Sequence, residues 1–493
     1  MAALALPDKL AEAHALIEQL HWRVTQLEKQ LYGPKSDRAT LENYSEEQVL
    51  LSLFPPPAEP PALSEVVVDG LPEGNRELPS RKPRRNPALK QLETVTERIE
   101  PEEKLCPQCG REKCEIGCER SERFEYIPAK IIRKEIVRPK FACPCGEDGV
   151  SIAPLPPTPV EKGYPGPGLI AQVMLAKYDD LLPLYRQERQ FIRLGVHFPR
   201  QMLSDWVEHG ARWLQPVVRQ MKAELLAGDY LQADETPVKV LDPEVKGKCA
   251  TGYLWVMGQP KGDVIFEFHP GRGKEYAKAL LGDFAGYLQG DGYSVYGSLD
   301  RERPGMKRCG CLAHARRKLV DALGVQRQHT EWFVLAVRKL YLIERHAREE
   351  EMTAEQRHAL RQKLAPPIWA ALKQQAEQLR PTLLPQSPLG KALSYLLHEW
   401  DALQRYLEDG RLEIDNNLTE NALRPSCVGK KNYLFIGHPE AGWRSAVIYS
   451  VVVSCRRQGI DPWEYLRDLM QRLPAATTAD IPDLVPARWK PPS

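Results

Sequence analysis

Three carboxylates in this chain have the settings of a phosphoryl-transfer site. Asp234 lies inside the strand-like run Tyr230 to Val240, and Asp291 follows Tyr287-Leu288-Gln289 between two glycines. Glu420 lies about one turn into a helix whose cap is Asn416 or Asn417. Two acids at strand ends and one on a helix are the oxygen donors that hard Mg²⁺ (or Mn²⁺) ions prefer. A pair of such ions ~4 Å apart stabilises both the attacking and the leaving oxygen of an in-line displacement, without a protein nucleophile. Two neighbouring acids compete for the role. Glu235 follows Asp234 along a strand and so points to the opposite face. Asp415 precedes Glu420 by five residues and reads as a helix-cap or first-turn acid, favoured there by the helix dipole. By spacing alone, many soluble chains offer three such acids.

Thiolate metal binding is a second chemistry. Cys106-Pro107-Gln108-Cys109 and Cys143-Pro144-Cys145 are two close pairs, and between them Phe124 to Pro128 and Ile131 to Arg138 alternate as a hairpin does. Cysteine pairs at strand ends are the arrangement of a zinc ribbon, with four thiolates holding one tetrahedral Zn²⁺. The second pair has one intervening residue rather than two, and Cys114 and Cys118 offer further thiolates. The set Cys106, Cys109, Cys143 and Cys145 is therefore one choice among six cysteines, and reduced structural thiols are the plainer reading. A ribbon of this size has little core, so its ion would be a folding requirement.

Cys311 and His314 are spaced C-x-x-H, but a zinc site needs two more ligands and Cys309 is the one obvious in sequence. Lys307, Arg308, Arg316, Arg317 and Lys318 fall within twelve positions that hold no acid. Phosphate contacts dominate nucleic-acid affinity, and this cluster is the strongest local argument for DNA.

The elements that would position these groups can be read from periodicity. Leu6, Leu10, Ala13, Ile17, Leu20, Val24, Leu27 and Leu31 alternate spacings of four and three, which matches a coiled-coil seam over 1–33. Ile17 and Val24 at one seam position with Leu20 and Leu27 at the other favour a parallel homodimer; an amphipathic helix packed on its own chain has the same pattern. Gly33-Pro34 ends the helix. A proline-rich linker follows over 34–100, with Arg81-Lys82-Pro83-Arg84-Arg85 opening a basic stretch. Residues 1–80 hold 6 basic and 13 acidic groups (net −7), and 81–140 hold 16 and 11 (net +5). The ribbon would occupy 101–153 and a second linker 154–168.

Over 169–222 the pattern is a helix-turn-helix. Leu194-Gly195-Val196 makes the turn, and a helix restarts at Pro199 with Met202, Leu203, Trp206 and Val207 on its apolar face. In a DNA-reading version Arg200, Gln201 and Ser204 would face the bases; a plain helical hairpin is the bland alternative. The catalytic domain is expected over 223–470 and a tail over 471–493. No glycine occurs from Val325 to Leu389, and a helical insertion over about 319–410 separates Asp291 from Glu420 by 129 residues, against 57 between Asp234 and Asp291.

Composition sets the outer bounds. The 493 residues amount to about three domains at ~150 each. Lys plus Arg is 68 against 66 Asp plus Glu, a net +2, so a DNA reading rests on local clusters. Eleven cysteines are too sparse for a disulfide scaffold. The longest apolar stretch, Ala446 to Cys455, is about half of the ~18 residues a membrane helix needs, and the start of the chain lacks a signal-peptide pattern. A cytoplasmic multidomain protein with no membrane partner is the expectation.

The strings A-D-E-T-P at Asp234, Q-G-D-G-Y at Asp291, C-L-A-H-A-R-R-K at Cys311 and I-D-N-N-L-T-E-N-A-L-R-P at Glu420 resemble the transposases of insertion-sequence family 66. Gly429-Lys430-Lys431-Asn432-Tyr433-Leu434-Phe435 does too, as do G-x-K-S-[DE]-R at Gly33 to Arg38 and the cysteine ribbon. The resemblance covers nearly the whole chain. It implies a multidomain α/β protein with an RNase H-like core and a DDE triad, which falls on Asp234, Asp291 and Glu420. It implies cleavage and joining at terminal inverted repeats, and two small accessory proteins encoded beside the transposase. His314 would orient substrate phosphate or a metal-bound water, and Arg316, Arg317, Lys318, Arg424, Lys430 and Lys431 join the candidate DNA contacts. The sequence departs at Asn421, where the family has arginine after the glutamate. A nuclease of the same fold that never joins, and a DNA-binding repressor, are the rival functions.

Overall fold

The computed structural model describes residues 165–491 except 246 and 247, together with 131–133, 136, 140–141, 151–152, 157–160 and 163. The chain divides into two units, 57–134 and the remainder. The heptad seam, the basic linker and the four candidate zinc cysteines lie outside the described residues. Beside the second cysteine pair, β1 (Lys140–Phe141) and β2 (Ser151–Ile152) pair antiparallel, Lys140 opposite Ile152. Residues 131–133 and 136 carry no strand, and the rest of the hairpin expected over Phe124 to Arg138 lies outside the described residues.

Three helices follow: α1 (Pro167–Tyr178), α2 (Leu184–Arg193) and α3 (Arg200–Leu226). The turn between α2 and α3 is fixed by Gly195 at φ +86, a left-handed conformation that glycine adopts without steric cost. Gly195 N–H bonds to the Ile192 carbonyl and Val196 N–H to that of Phe191, the paired hydrogen bonds of a Schellman stop. Phe198 packs edge-on between Phe191 (5.3 Å) and Trp206 (5.0 Å), tying the turn to both helices. Helix α3 runs through Pro216 to Leu226, past the expected boundary at 222, its buried side carrying Leu203, Trp206, Val207, Leu214, Val217 and Met221. Burial of that stripe outweighs the one hydrogen bond that Pro216 removes.

A five-stranded sheet comes next. Strands β3 (Tyr230–Val240), β4 (Ala250–Gly258) and β5 (Val264–His269) form an antiparallel meander. After α4 (Lys274–Leu281), β6 (Gly286–Gln289) pairs parallel with β3; α5 (Ser294–Glu302) then leads to β7 (Met306–Cys309), parallel to β6. The order across the sheet is β5-β4-β3-β6-β7. Pro237 is tolerated inside β3 because β6 flanks only Tyr230 to Gln232.

Five helices separate β7 from the segment holding Glu420: α6 (Leu312–Ala322), α7 (Arg327–Glu349), α8 (Ala354–Leu379), α9 (Pro388–His398) and α10 (Trp400–Gln404). They enclose a core of their own that includes Phe333, Val337, Leu340, Trp369 and Leu393. Then α11 (Asn417–Tyr433) lies against β3 and β4, and α12 (Gly442–Arg457) packs on β5, α1 and α3; α13 (Pro462–Arg472) packs on α1. No described helix is long and apolar enough to cross a membrane.

Strand β5 is an edge, and α12 satisfies its outward N–H groups. Phe266 N–H donates to Ser450 Oγ (2.8 Å) and Val264 N–H to Ser454 Oγ (3.0 Å), from serines one helical turn apart. Both serines are fully buried. Ser450→Ala leaves a buried N–H without a partner, at an expected cost of about 1–3 kcal/mol in urea denaturation. An unchanged midpoint would contradict this role.

Candidate active site

Asp234 and Asp291 are brought level by strand register. Gln232 of β3 is opposite Gln289 of β6, and each acid lies two residues further along in the parallel direction. Asp291 begins the turn after β6, where its Oδ1 accepts the Tyr293 N–H (2.9 Å). The glycines around it have a packing reason. A Cβ on Gly292 would sit 2.7 Å from the Tyr395 ring, on α9. Glu420 is in the first turn of α11, where the helix dipole favours an acid.

A buried polar network fixes the third element to the other two. Gln232 Nε2 donates to Gln289 Oε1 (2.8 Å) and to the Asp415 carbonyl (3.0 Å), while its Oε1 accepts from Thr419 Oγ1 (3.0 Å). Gln289 Nε2 donates to the Glu413 carbonyl (2.7 Å) and Tyr230 accepts the Glu413 N–H (3.0 Å). Thr419 immediately precedes Glu420, so the network spans β3, β6 and the α11 start at a distance of one or two residues from each acid.

The electrostatics reflect crowded negative charge. Burial pushes the Asp234 carboxyl up to about 8, opposed by the Glu235 N–H it accepts and reinforced by the charges of Glu235, Glu420 and Asp291. Glu235 is raised too, by burial and then by Asp291. As its strand position requires, it has separate partners: Arg272 donates to Oε1 (2.8 Å) and the fully buried Tyr296 hydroxyl to Oε2 (3.2 Å). The Arg272 guanidinium lies 4.1 Å from the Tyr293 ring centroid, stacked beside the acid cluster. The N-cap of α11 is Asn416; Asp415, expected as a cap or first-turn acid, precedes it, and its Oδ1 accepts the Asn417 N–H (3.1 Å).

The basic segment enters from α6. His314 Nδ1 lies 3.6 Å from Glu420 Oε1, and Arg317 lies 3.9 Å from Oε2. Cys311 is the N-cap residue of α6, and burial pushes its thiol up to about 12. Ligand atoms of Cys311, His314 and Glu420 all fall within 4.8 Å of one another. Arg317 and Lys318 are exposed, and Arg316 is half-buried. Lys318 lies 4.9 Å from the Tyr395 ring. Lys430 bonds to Thr236 Oγ1 (3.1 Å) and the Pro237 carbonyl (3.0 Å), so it serves β3 first. Arg424 and Lys431 are exposed on α11, and Arg200 and Gln201 on the first turn of α3, where Ser204 is half-buried.

Sequence reasoning assigned no role to Arg272, Tyr293, Tyr296, Gln232 or Gln289. A signal for the last two was present: a glutamine stands two residues before each aspartate, in Gln232-Ala233-Asp234 and Gln289-Gly290-Asp291.

A mixed α/β sheet that brings together one acid from within β3, one from just past β6 and one from a helix start is the class of protein the geometry defines. Residues 162–444 match the family described as "Transposase IS66 family", 103–146 match "zinc-finger binding domain of transposase IS66", and 450–487 match "IS66 C-terminal element". The chain belongs to the IS66 transposase family. Among similar proteins of Sinorhizobium fredii (strain NBRC 101917 / NGR234), the uncharacterized protein y4jD is 30% identical over 98% of this chain and 97% of its own length. The uncharacterized protein y4qI is 33% identical over 94% and 88%. The zinc-finger match spans all six cysteines between 106 and 145.

Proposed function

We propose that the chain binds the terminal inverted repeats of its element and catalyses metal-dependent cleavage and strand transfer, with Asp234, Asp291 and Glu420 as the DDE triad. The observation that carries this reading is the placement of the three acids: Asp234 and Asp291 are level beyond the Gln232–Gln289 register, and the start of α11 that bears Glu420 is tied to both strands by the Gln232, Gln289 and Thr419 hydrogen bonds. Strand order and directions support an RNase H-like core: three antiparallel strands, then two parallel ones on the other side of β3.

The donor set fits hard divalent cations, because it is all carboxylate oxygen and one of them, Glu420 Oε1, is buried with no hydrogen-bond partner. Mg²⁺ or Mn²⁺ bound there would activate a water or a 3′-hydroxyl and neutralise charge developing at phosphorus. Asp234, Asp291 and Glu420 would hold the ions, and the glutamine network would keep the helix in register with the strands. Arg316, Arg317, Lys318, Arg424, Lys430, Lys431 and His314 would line the approach of the DNA backbone, with Arg200, Gln201 and Ser204 reading bases from α3. A coiled-coil homodimer and a Cys106, Cys109, Cys143, Cys145 zinc site would complete the assembly; both belong to segments outside the described residues.

The test is incubation with repeat-ended DNA and a target plasmid in Mg²⁺. Joined products support a transposase; free 3′-hydroxyl ends that never join would instead support a nuclease. Arg317→Ala with Lys318→Ala should lower the slope of log affinity against log salt by about 2, since each phosphate contact releases about one counterion. An unchanged slope removes those two residues from the interface.

A further inference from the structure

We propose that Cys311, His314 and Glu420 form a second cation site, selective for a thiophilic divalent ion such as Zn²⁺, whose occupant competes with the catalytic metal for Glu420. The inference rests on the reading of Glu420 as a metal-binding carboxylate.

The three side chains come from two elements that meet, α6 and α11, and their ligand atoms lie within 4.8 Å of one another. Ligands on a zinc tetrahedron lie about 3.5 Å apart, given bonds of ~2.0–2.3 Å. The His314 to Glu420 separation of 3.6 Å already meets that. Both of those atoms, His314 Nδ1 and Glu420 Oε1, are shielded from water and make no hydrogen bond. Buried polar atoms are ordinarily paired, so two orphans facing each other call for a shared partner. Cys311, fully buried, stands at the N-cap of α6, one turn before His314 on the same helix. Its thiol proton would leave to solvent as a metal–sulfur bond forms.

One sulfur, one imidazole nitrogen and one carboxylate oxygen suit Zn²⁺ or Co²⁺ and are a poor set for Mg²⁺, which demands oxygen. Three protein ligands leave the fourth position open, as in catalytic rather than structural zinc sites. Both sites call on the same oxygen, Glu420 Oε1, so their occupants compete for it. A thiophilic ion would therefore draw it towards α6 and away from Asp234 and Asp291, making the ion an inhibitor of Mg²⁺-dependent chemistry.

The experiment uses the full-length protein loaded with a single equivalent of Zn²⁺, which a closed four-thiolate finger takes ahead of a three-ligand open site. Cobalt is added, and thiolate-to-cobalt charge-transfer absorption is followed by titration. The wild type should take up one further equivalent with that band, and Cys311→Ser, which keeps a small polar group at the α6 cap, should lose both. In parallel, the Zn²⁺ concentration that halves Mg²⁺-dependent cleavage should rise at least about tenfold in Cys311→Ser. Wild type taking no cobalt beyond the finger, or Cys311→Ser keeping the same band and stoichiometry, overturns the proposal. If no DNA is cleaved under any condition, the catalytic reading of the triad fails while the cobalt count still decides whether this site exists.

Discussion

Asp234→Asn is expected to melt a few degrees above the wild type in metal-free buffer near pH 8, and to lose strand cleavage by on the order of 10³-fold. The two effects have one cause. Asp234 is raised from 3.8 to about 8, by burial first and then by the neighbouring carboxylates. Between those values the folded state holds a proton that the unfolded chain has released. Stability therefore falls as pH rises through that window, and the ionised carboxylate is unfavourable until a cation arrives. The amide removes the penalty and the ligand together. Divalent-metal affinity of the wild type should rise from pH 6 to 8 as the competing proton becomes easier to displace. Differential scanning fluorimetry across pH, with and without Mg²⁺, checks the first claim. A variant less stable than wild type at pH 8 without metal would contradict it.

The second large effect is on stability, at a site far in sequence from the acids. Arg361→Met should cost about 3–5 kcal/mol, because it breaks a buried ion pair from one side. Arg361 is wholly buried and clasps the strap before α11. It donates to both oxygens of Glu344 (2.7 and 2.8 Å) and to the carbonyls of Tyr406 (2.8 Å), Asp409 (2.9 Å) and Leu412 (2.7 Å). Burial opposes ionisation of Glu344, yet Arg361 and Arg357 together hold its carboxyl below the usual range. Arg357 also reaches both oxygens of Glu413 (3.0 and 2.8 Å), and Tyr341 donates to Asp415 Oδ2 (2.8 Å). The helices between β7 and α11 thus grip the residues just before Glu420. Adding Glu344→Leu to Arg361→Met should recover part of the loss, since Glu344 Oε1, which Arg361 alone bonds, is then no longer left buried without a partner; equilibrium denaturation of the single and double variants measures this.

Much of the catalytic half was legible because its elements are regular. Strand β3 spans the expected Tyr230 to Val240, and Asp291 stands just past a strand end as its two glycines indicated. The Gly195 turn was visible because that conformation needs glycine. Strand β7 was not, since Met306-Lys307-Arg308-Cys309 is four residues with two cations and reads more readily as a basic cluster. The Arg272–Glu235 pair and the Arg361 clasp were also out of reach. Their partners lie 37 and 17 residues apart in sequence, and only packing brings them together. Glu420 as a co-ligand with Cys311 and His314 is of the same kind, because His314 and Glu420 lie 106 residues apart in sequence.

The central claim is that Asp234, Asp291 and Glu420 act as one metal-binding unit on DNA. Its most direct test is incubation of the full chain with DNA bearing the inverted repeats that flank its gene, in Mg²⁺ or Mn²⁺, beside Asp291→Ala. The account predicts metal-dependent 3′-hydroxyl ends from the wild type and none from the variant, with repeat binding retained by both. Equal cutting by Asp291→Ala would contradict it.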